Sequence, residues 1–122
     1  MEMDLSINVR RDAAVPIIDL SGEVDAYTSA RFREAMIDVI EAGTASLIVN
    51  MMKVEYIDSS GLGALVGGLK RSSEHGGKIL IVCDNIQIKK VFEITGLEKV
   101  FHIHDVESDA VEELVNDNAD AK

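Results

Sequence analysis

The residues best equipped for chemistry lie in "EYIDSSGLGAL", positions 55–65: an acid, Asp58, then Ser59 and Ser60, then Gly61 and Gly63 at the foot of an apolar run. Three chemistries fit such a cluster. A serine there can be a nucleophile, a helix cap, or an acceptor of phosphate from elsewhere. A nucleophilic serine needs a base within hydrogen-bond reach. The stretch has no G-x-S-x-G elbow, and nothing in the sequence brings His75, His102 or His104 beside Ser59. His102 and His104, two apart, share a strand face, but two histidines without a third ligand are a weak metal signal. The glycines of "GLGALVGG" lack both the Lys-Ser/Thr of a phosphate loop and the G-x-G-x-x-G spacing of a dinucleotide loop.

The cap and the phosphate acceptor remain. The first turn of a helix carries unsatisfied N–H groups and a partial positive charge, so it welcomes an anion. It also takes a serine cap, worth about 1 kcal/mol. Both roles can coexist on adjacent serines. The expected division makes Ser60 the cap and leaves Ser59, before it, as the exposed hydroxyl.

The elements that must position this stretch follow from periodicity. Alternation in "LSINVR" and the apolar run "VPIIDLSG" predict two strands, with Asp12-Ala13-Ala14 as the turn and Pro16 near a strand start. "SGEVDAYTSA" is a loop in which Thr28 or Ser29 can cap a helix over 30–42, whose inward stripe is Phe32, Met36, Val39 and Ile40. "SLIVNM" is a buried strand leading through "KVEYI" to the serines. Leu62, Leu65, Val66 and Leu69 then mark a helix over 61–74, in which Gly67 and Gly68 each cost about 1 kcal/mol against alanine. That cost points to close packing against a sheet or a partner. "KILIVC" is the next strand. Asn85 caps a third helix that Gly96 ends, "VFHIH" is a short strand, and Asp105 opens a last helix. The order β-β-α-β-α-β-α-β-α implies an α/β fold with a largely parallel sheet.

Bulk properties narrow the classes. A chain of 122 residues is one domain by length and needs no staples. Cys83 stands alone within "KILIVC" and reads as a small buried hydrophobe, consistent with a reducing cytoplasm. The acidic start and the lack of a long apolar run predict neither signal peptide nor membrane span. A net charge of −10 argues against nucleic acid. Residues 105–122 hold seven of the 22 acids, and 116–122 read as an acidic solvated tail behind a domain over 1–115.

"GEVDAYTS", "YIDSSGLGAL" and "ITGLEKVF", in that order and spacing, closely resemble the bacterial anti-sigma factor antagonists, single STAS-domain proteins. The resemblance spans about residues 4–115. It implies a mixed, mostly parallel sheet covered mainly on one face by about four helices. It also implies a partner-switching role without catalysis or cofactor. In the family the unphosphorylated antagonist, a monomer, binds an anti-sigma factor that is itself a serine kinase of the histidine-kinase-like ATPase fold. The sigma factor is thereby released. Phosphorylation of the serine matching Ser59 switches binding off, and a PP2C-type phosphatase restores it. Asp25 matches the family's loop acid, and Asp58, Ser60 and Gly61 match the neighbours of the phosphorylated serine. Gly22, Thr28 and the apolar Leu62 complete the expected partner-binding set. Asn50-Met51-Met52 departs from the family's usual Asp-Leu-Ser/Thr at a strand end, a change expected to touch a local turn and not the switch. Two other readings stand beside this one: a STAS scaffold or subunit of a larger complex, such as a stressosome or a transporter, and a serine-dependent enzyme.

Overall fold

The computed structural model describes residues 4–120. β1 (Leu5–Asp12) and β2 (Val15–Val24) form an antiparallel hairpin. Its loop is the dipeptide Ala13-Ala14, with φ of 53° and 68°. Two positive φ values give the turn whose twist matches a two-residue hairpin. Asp12 therefore belongs to the strand, and the turn is one residue shorter than expected. Pro16 is the second residue of β2, at its start. β3 (Leu47–Ile57), β4 (Ile79–Val82) and β5 (His102–His104) add in sequence order, each parallel to its predecessor, giving the order β1-β2-β3-β4-β5.

β4 and the start of β3, Leu47 to Val49, read as apolar runs because helices cover both faces of the sheet there. On one face α1 (Ser29–Glu41), α2 (Ser59–Glu74) and α3 (Ile86–Thr95) pack Phe32, Met36, Leu65, Ile88 and Phe92 on Ile18, Leu20, Val49, Met51, Ile79 and Ile81. On the other, α4 (Glu107–Asp120) sets Ala110 and Leu114 on Val15, Ile17, Ile48, Leu80 and Val82. Coverage is thus mainly one-sided, with α4 alone on the second face among the described residues. The chain is a mixed α/β protein of the expected class.

Several local expectations hold. The Asn85 side chain accepts hydrogen bonds from Gln87 N and Ile88 N at the start of α3. Gly96 ends that helix at φ 77°, where a side chain would strain the backbone. Others change. Within the chain, Gly67 and Gly68 make room not for the sheet but for α1: a Cβ on Gly68 would lie 2.6 Å from Met36 Sδ, and one on Gly67 2.8 Å from Arg33 Nε. Asn50 is not at a strand end, since β3 continues to Ile57. Its side chain accepts from Met52 N (2.9 Å) and donates to Glu107 Oε1 (2.8 Å), tying β3 to the start of α4.

α4 is fastened by charge. Glu113 accepts from Lys78 Nζ (2.8 Å) and lies against His102 Nδ1 (2.8 Å) and His104 Nε2 (2.7 Å). Burial pushes its carboxyl up, but the hydrogen bonds from Lys78, His104 and His102 outweigh that and hold it at about 2. Lys78 also pairs with Asp117 at 2.6 Å. The helix runs on to Asp120, through much of the stretch read as a solvated tail, and residues 121–122 lie outside the described part.

Candidate functional site

β2, β3 and β4 are parallel, so they deliver their following loops to one edge of the sheet, the edge where open α/β folds place their sites. Those loops carry Asp25–Thr28, Asp58 with the serines, and Asn85–Ile86. The first two are joined directly, because Asp58 N donates to Val24 O at 3.2 Å. The join requires Gly61. A Cβ there would lie 2.7 Å from Ile57 Cγ1 and 2.8 Å from both Val24 Cγ1 and Val24 O, so any side chain would push α2 off the ends of the strands.

The cap of α2 is Asp58, not Ser60. Its Oδ1 accepts from Ser60 N (2.9 Å) and Gly61 N (3.1 Å). A carboxylate is the better choice for that place, because it accepts the orphan amides and complements the helix dipole together. Ser59 and Ser60 are consequently the first two residues of the helix, one exposed and the other half-buried. The exposed hydroxyl is Ser59, as expected.

Thr28 does not take the capping role that the sequence offers it, and its hydroxyl works with Asp25 instead. Thr28 stands at the N-cap position of α1 but its hydroxyl does not cap. It is buried, donates to Glu23 O (2.9 Å) and accepts from Asp25 N (2.9 Å). Asp25 Oδ1 in turn accepts from Tyr27 N (2.9 Å) and Thr28 N (3.1 Å). The pair locks the loop into one shape beside Asp58. Gly22 lies upstream at a register irregularity in β2, at φ 118°, with Asp4 O 2.2 Å from where its Cβ would be. It shapes the strand entering this loop.

Leu62 is half-buried and packs partly against the core. The conspicuous apolar groups on the rim are ones the sequence reading passed over. Tyr27 is 92% exposed and Ile86 79%. The signal was present: Tyr27 fits no periodic stripe, and Ile86 falls outside the Ile88, Val91, Phe92 stripe of its helix.

The imidazoles are elsewhere. His75 ends α2 at the opposite end of a 16-residue helix, about 24 Å from Ser59 at 1.5 Å per residue. His102 and His104 both engage Glu113 on the α4 side of the sheet. None can serve Ser59 as a base, and the two β5 histidines have a carboxylate partner that explains them.

Comparison with known proteins gives the family and the fold. The family model described as the STAS domain matches residues 6–110. The chain belongs to the STAS domain family. Among its relatives, the anti-sigma-B factor antagonist of Staphylococcus aureus (strain NCTC 8325 / PS 47) is 32% identical over 103 residues, covering 84% of this chain and 95% of that protein. The anti-sigma F factor antagonist of Paenibacillus polymyxa is 36% identical over 114 residues, covering 92% and 97%. Among solved structures, an anti-sigma factor antagonist from Mycobacterium paratuberculosis superposes with a TM-score of 0.84 at 22% identity, covering 93% of this chain and 96% of that one. This STAS domain thus matches nearly the full length of its relatives. No helix among the described residues is long and apolar enough to cross a membrane.

Proposed function

We propose that this STAS domain is an anti-sigma factor antagonist whose rim, Asp25 to Thr28 with Asp58 to Leu62, docks an anti-sigma factor, and that phosphorylation of Ser59 abolishes the docking. The observation that carries the reading is the exposed Ser59 hydroxyl at the first position of α2, flanked by the Asp58 cap and joined through Val24 to the Asp25 loop. Asp58 already occupies the amides of Ser60 and Gly61. A phosphate on Ser59 therefore does not settle into an empty anion site. It brings about −1.5 to −2 charges to a rim that already holds two carboxylates.

The magnitude suffices for a switch. One like-charge pair at about 4 Å and an effective dielectric near 20 costs about 4 kcal/mol, roughly a thousandfold in affinity. No refolding is required, because the loop shapes are fixed by backbone bonds and by Gly61. The kinase in this reading is the anti-sigma factor itself, a serine kinase of the histidine-kinase-like ATPase fold, and a PP2C-type phosphatase reverses the mark.

The test is phosphosite mapping by mass spectrometry after incubation with ATP and the cognate anti-sigma kinase. Ser59→Ala and Ser60→Ala proteins run alongside, and binding is measured before and after. One phosphate on Ser59, absent from Ser59→Ala and accompanied by about a thousandfold loss of affinity, is the expected result. A kinase that leaves the wild-type protein unmodified while phosphorylating other substrates would remove the switch.

A further inference from the structure

Away from the serine rim, the flank where α1 meets α2 carries a hollow of about 150 Å³ lined by Arg33, Gly67, Lys70, Arg71 and Glu74. Three cations converge there on a chain whose net charge is −10. Arg71 is already committed, to Glu41 and, at 3.5 Å, to Glu74. Arg33 and Lys70 are exposed and form no ion pair among the described residues. Gly67 supplies the seat: with no Cβ, it lets the Arg33 guanidinium lie against the backbone of α2, and a Cβ would stand 2.8 Å from Nε. A mid-helix glycine is costly, and here it leaves a planar, five-donor fork open to solvent.

We propose that this groove receives a short acidic segment of a protein partner, with a carboxylate held between Arg33 and Lys70. Size and charge choose the occupant. The hollow is smaller than the 300–1,000 Å³ of sites for drug-sized ligands, so it accepts one side-chain group. Guanidinium forks favour planar carboxylates that they can hold by two hydrogen bonds. A long polyanion would also meet the acidic remainder of the chain, whereas a segment with a few carboxylates sees mainly the groove, because charges beyond about 8 Å are screened at physiological salt. The groove stands apart from the serine rim on the same helix. Gly67 follows Ser59 by eight residues, about 12 Å along the helix, and the exposed Val66 lies between them.

The test titrates the full-length, ¹⁵N-labelled protein with a hexaglutamate peptide, with inorganic phosphate, and with a short oligouridylate in separate arms. The expected result is saturable, salt-sensitive shifts of the Arg33 side-chain Nε–H and the Gly67 and Lys70 amides with the peptide. Affinity should fall about tenfold in Arg33→Gln/Lys70→Gln, with an unchanged melting temperature because both side chains are exposed. Peptide shifts that persist in the double variant, or that spread equally to Lys53 and Lys89, would overturn the proposal. So would phosphate or the oligonucleotide matching the peptide in affinity and in the residues shifted, since the groove would then be a general anion site.

Discussion

On one face of the sheet, α1, α2 and α3 bury Phe32, Met36, Leu65, Ile88 and Phe92, with Phe92 and Phe101 meeting edge to face at a centroid distance of 6.1 Å. On the other, α4 buries Ala110 and Leu114, and the helix is held besides by Glu113 with Lys78, His102 and His104, and by Glu107 with Arg10 and Asn50. The first face rests on apolar area, which does not respond to pH. The second adds the ion pairs and charge-assisted hydrogen bonds of Glu113 and Glu107 to a smaller apolar contact. Ser59 stands at the edge of the first face, so its rim can gain or lose charge while its support stays fixed. That separation is what a phosphorylation switch without refolding requires.

Substitutions can break this contrast at either face. The largest effect belongs to Phe92→Ala, expected to cost about 3–5 kcal/mol through lost burial and a residual cavity. Denaturant unfolding measures it, and a loss below about 1 kcal/mol would mean that the three-helix face is not the dominant core. Glu113→Gln should cost about 1–2 kcal/mol, the range for a charge-assisted network partly open to water. Its pH dependence is more telling. Glu113 is depressed in the folded state, so its contribution is full above the ordinary carboxylate value near 4.5 and fades as pH falls toward about 2. The difference in stability between wild type and Glu113→Gln should therefore shrink across that window, as followed by unfolding at stepped pH. A difference that stays constant from pH 5 to pH 2 would contradict the charge-fastened picture of α4.

The smallest effect sharpens the comparison at the rim. Asp58→Asn keeps a capping side chain and loses only the charge that complements the helix dipole, so stability should change by less than about 1 kcal/mol. It also removes one of the carboxylates near Ser59. Calorimetric titration with the anti-sigma factor should show a smaller phosphorylation penalty in this variant than in wild type. An equal penalty would place the repulsion entirely within the partner.

Much of this architecture could be read from residue order. Period-four stripes marked the helices, the unbroken apolar runs marked strands covered on both faces, and Asn85 and Gly96 marked the ends of α3 where the structure has them. The serine rim was legible because a strand, an acid, two serines and a glycine in series define a strand-to-helix turn. The errors share a cause. Ser60 was read as the cap because serine caps well, yet Asp58 is two residues nearer the turn that Val24 fixes, and Val24 is distant in sequence. Asn50 looked like a strand end because the resembled family's pattern has one there, and the partner that explains it, Glu107, lies 57 residues on.

Sequence alone determined the element order, the class of fold and the identity of the exposed hydroxyl, because periodicity, caps and turn residues act over a few neighbours. Tertiary structure alone decided that Gly61 presses α2 onto the ends of β2 and β3, and that Thr28 locks a loop in place of capping a helix. It also decided that two histidines and a lysine share one carboxylate, and that Gly67 holds Arg33 open beside Lys70. Each of these depends on atoms brought within 4 Å across strands or helices, and no local pattern in the chain encodes such a distance.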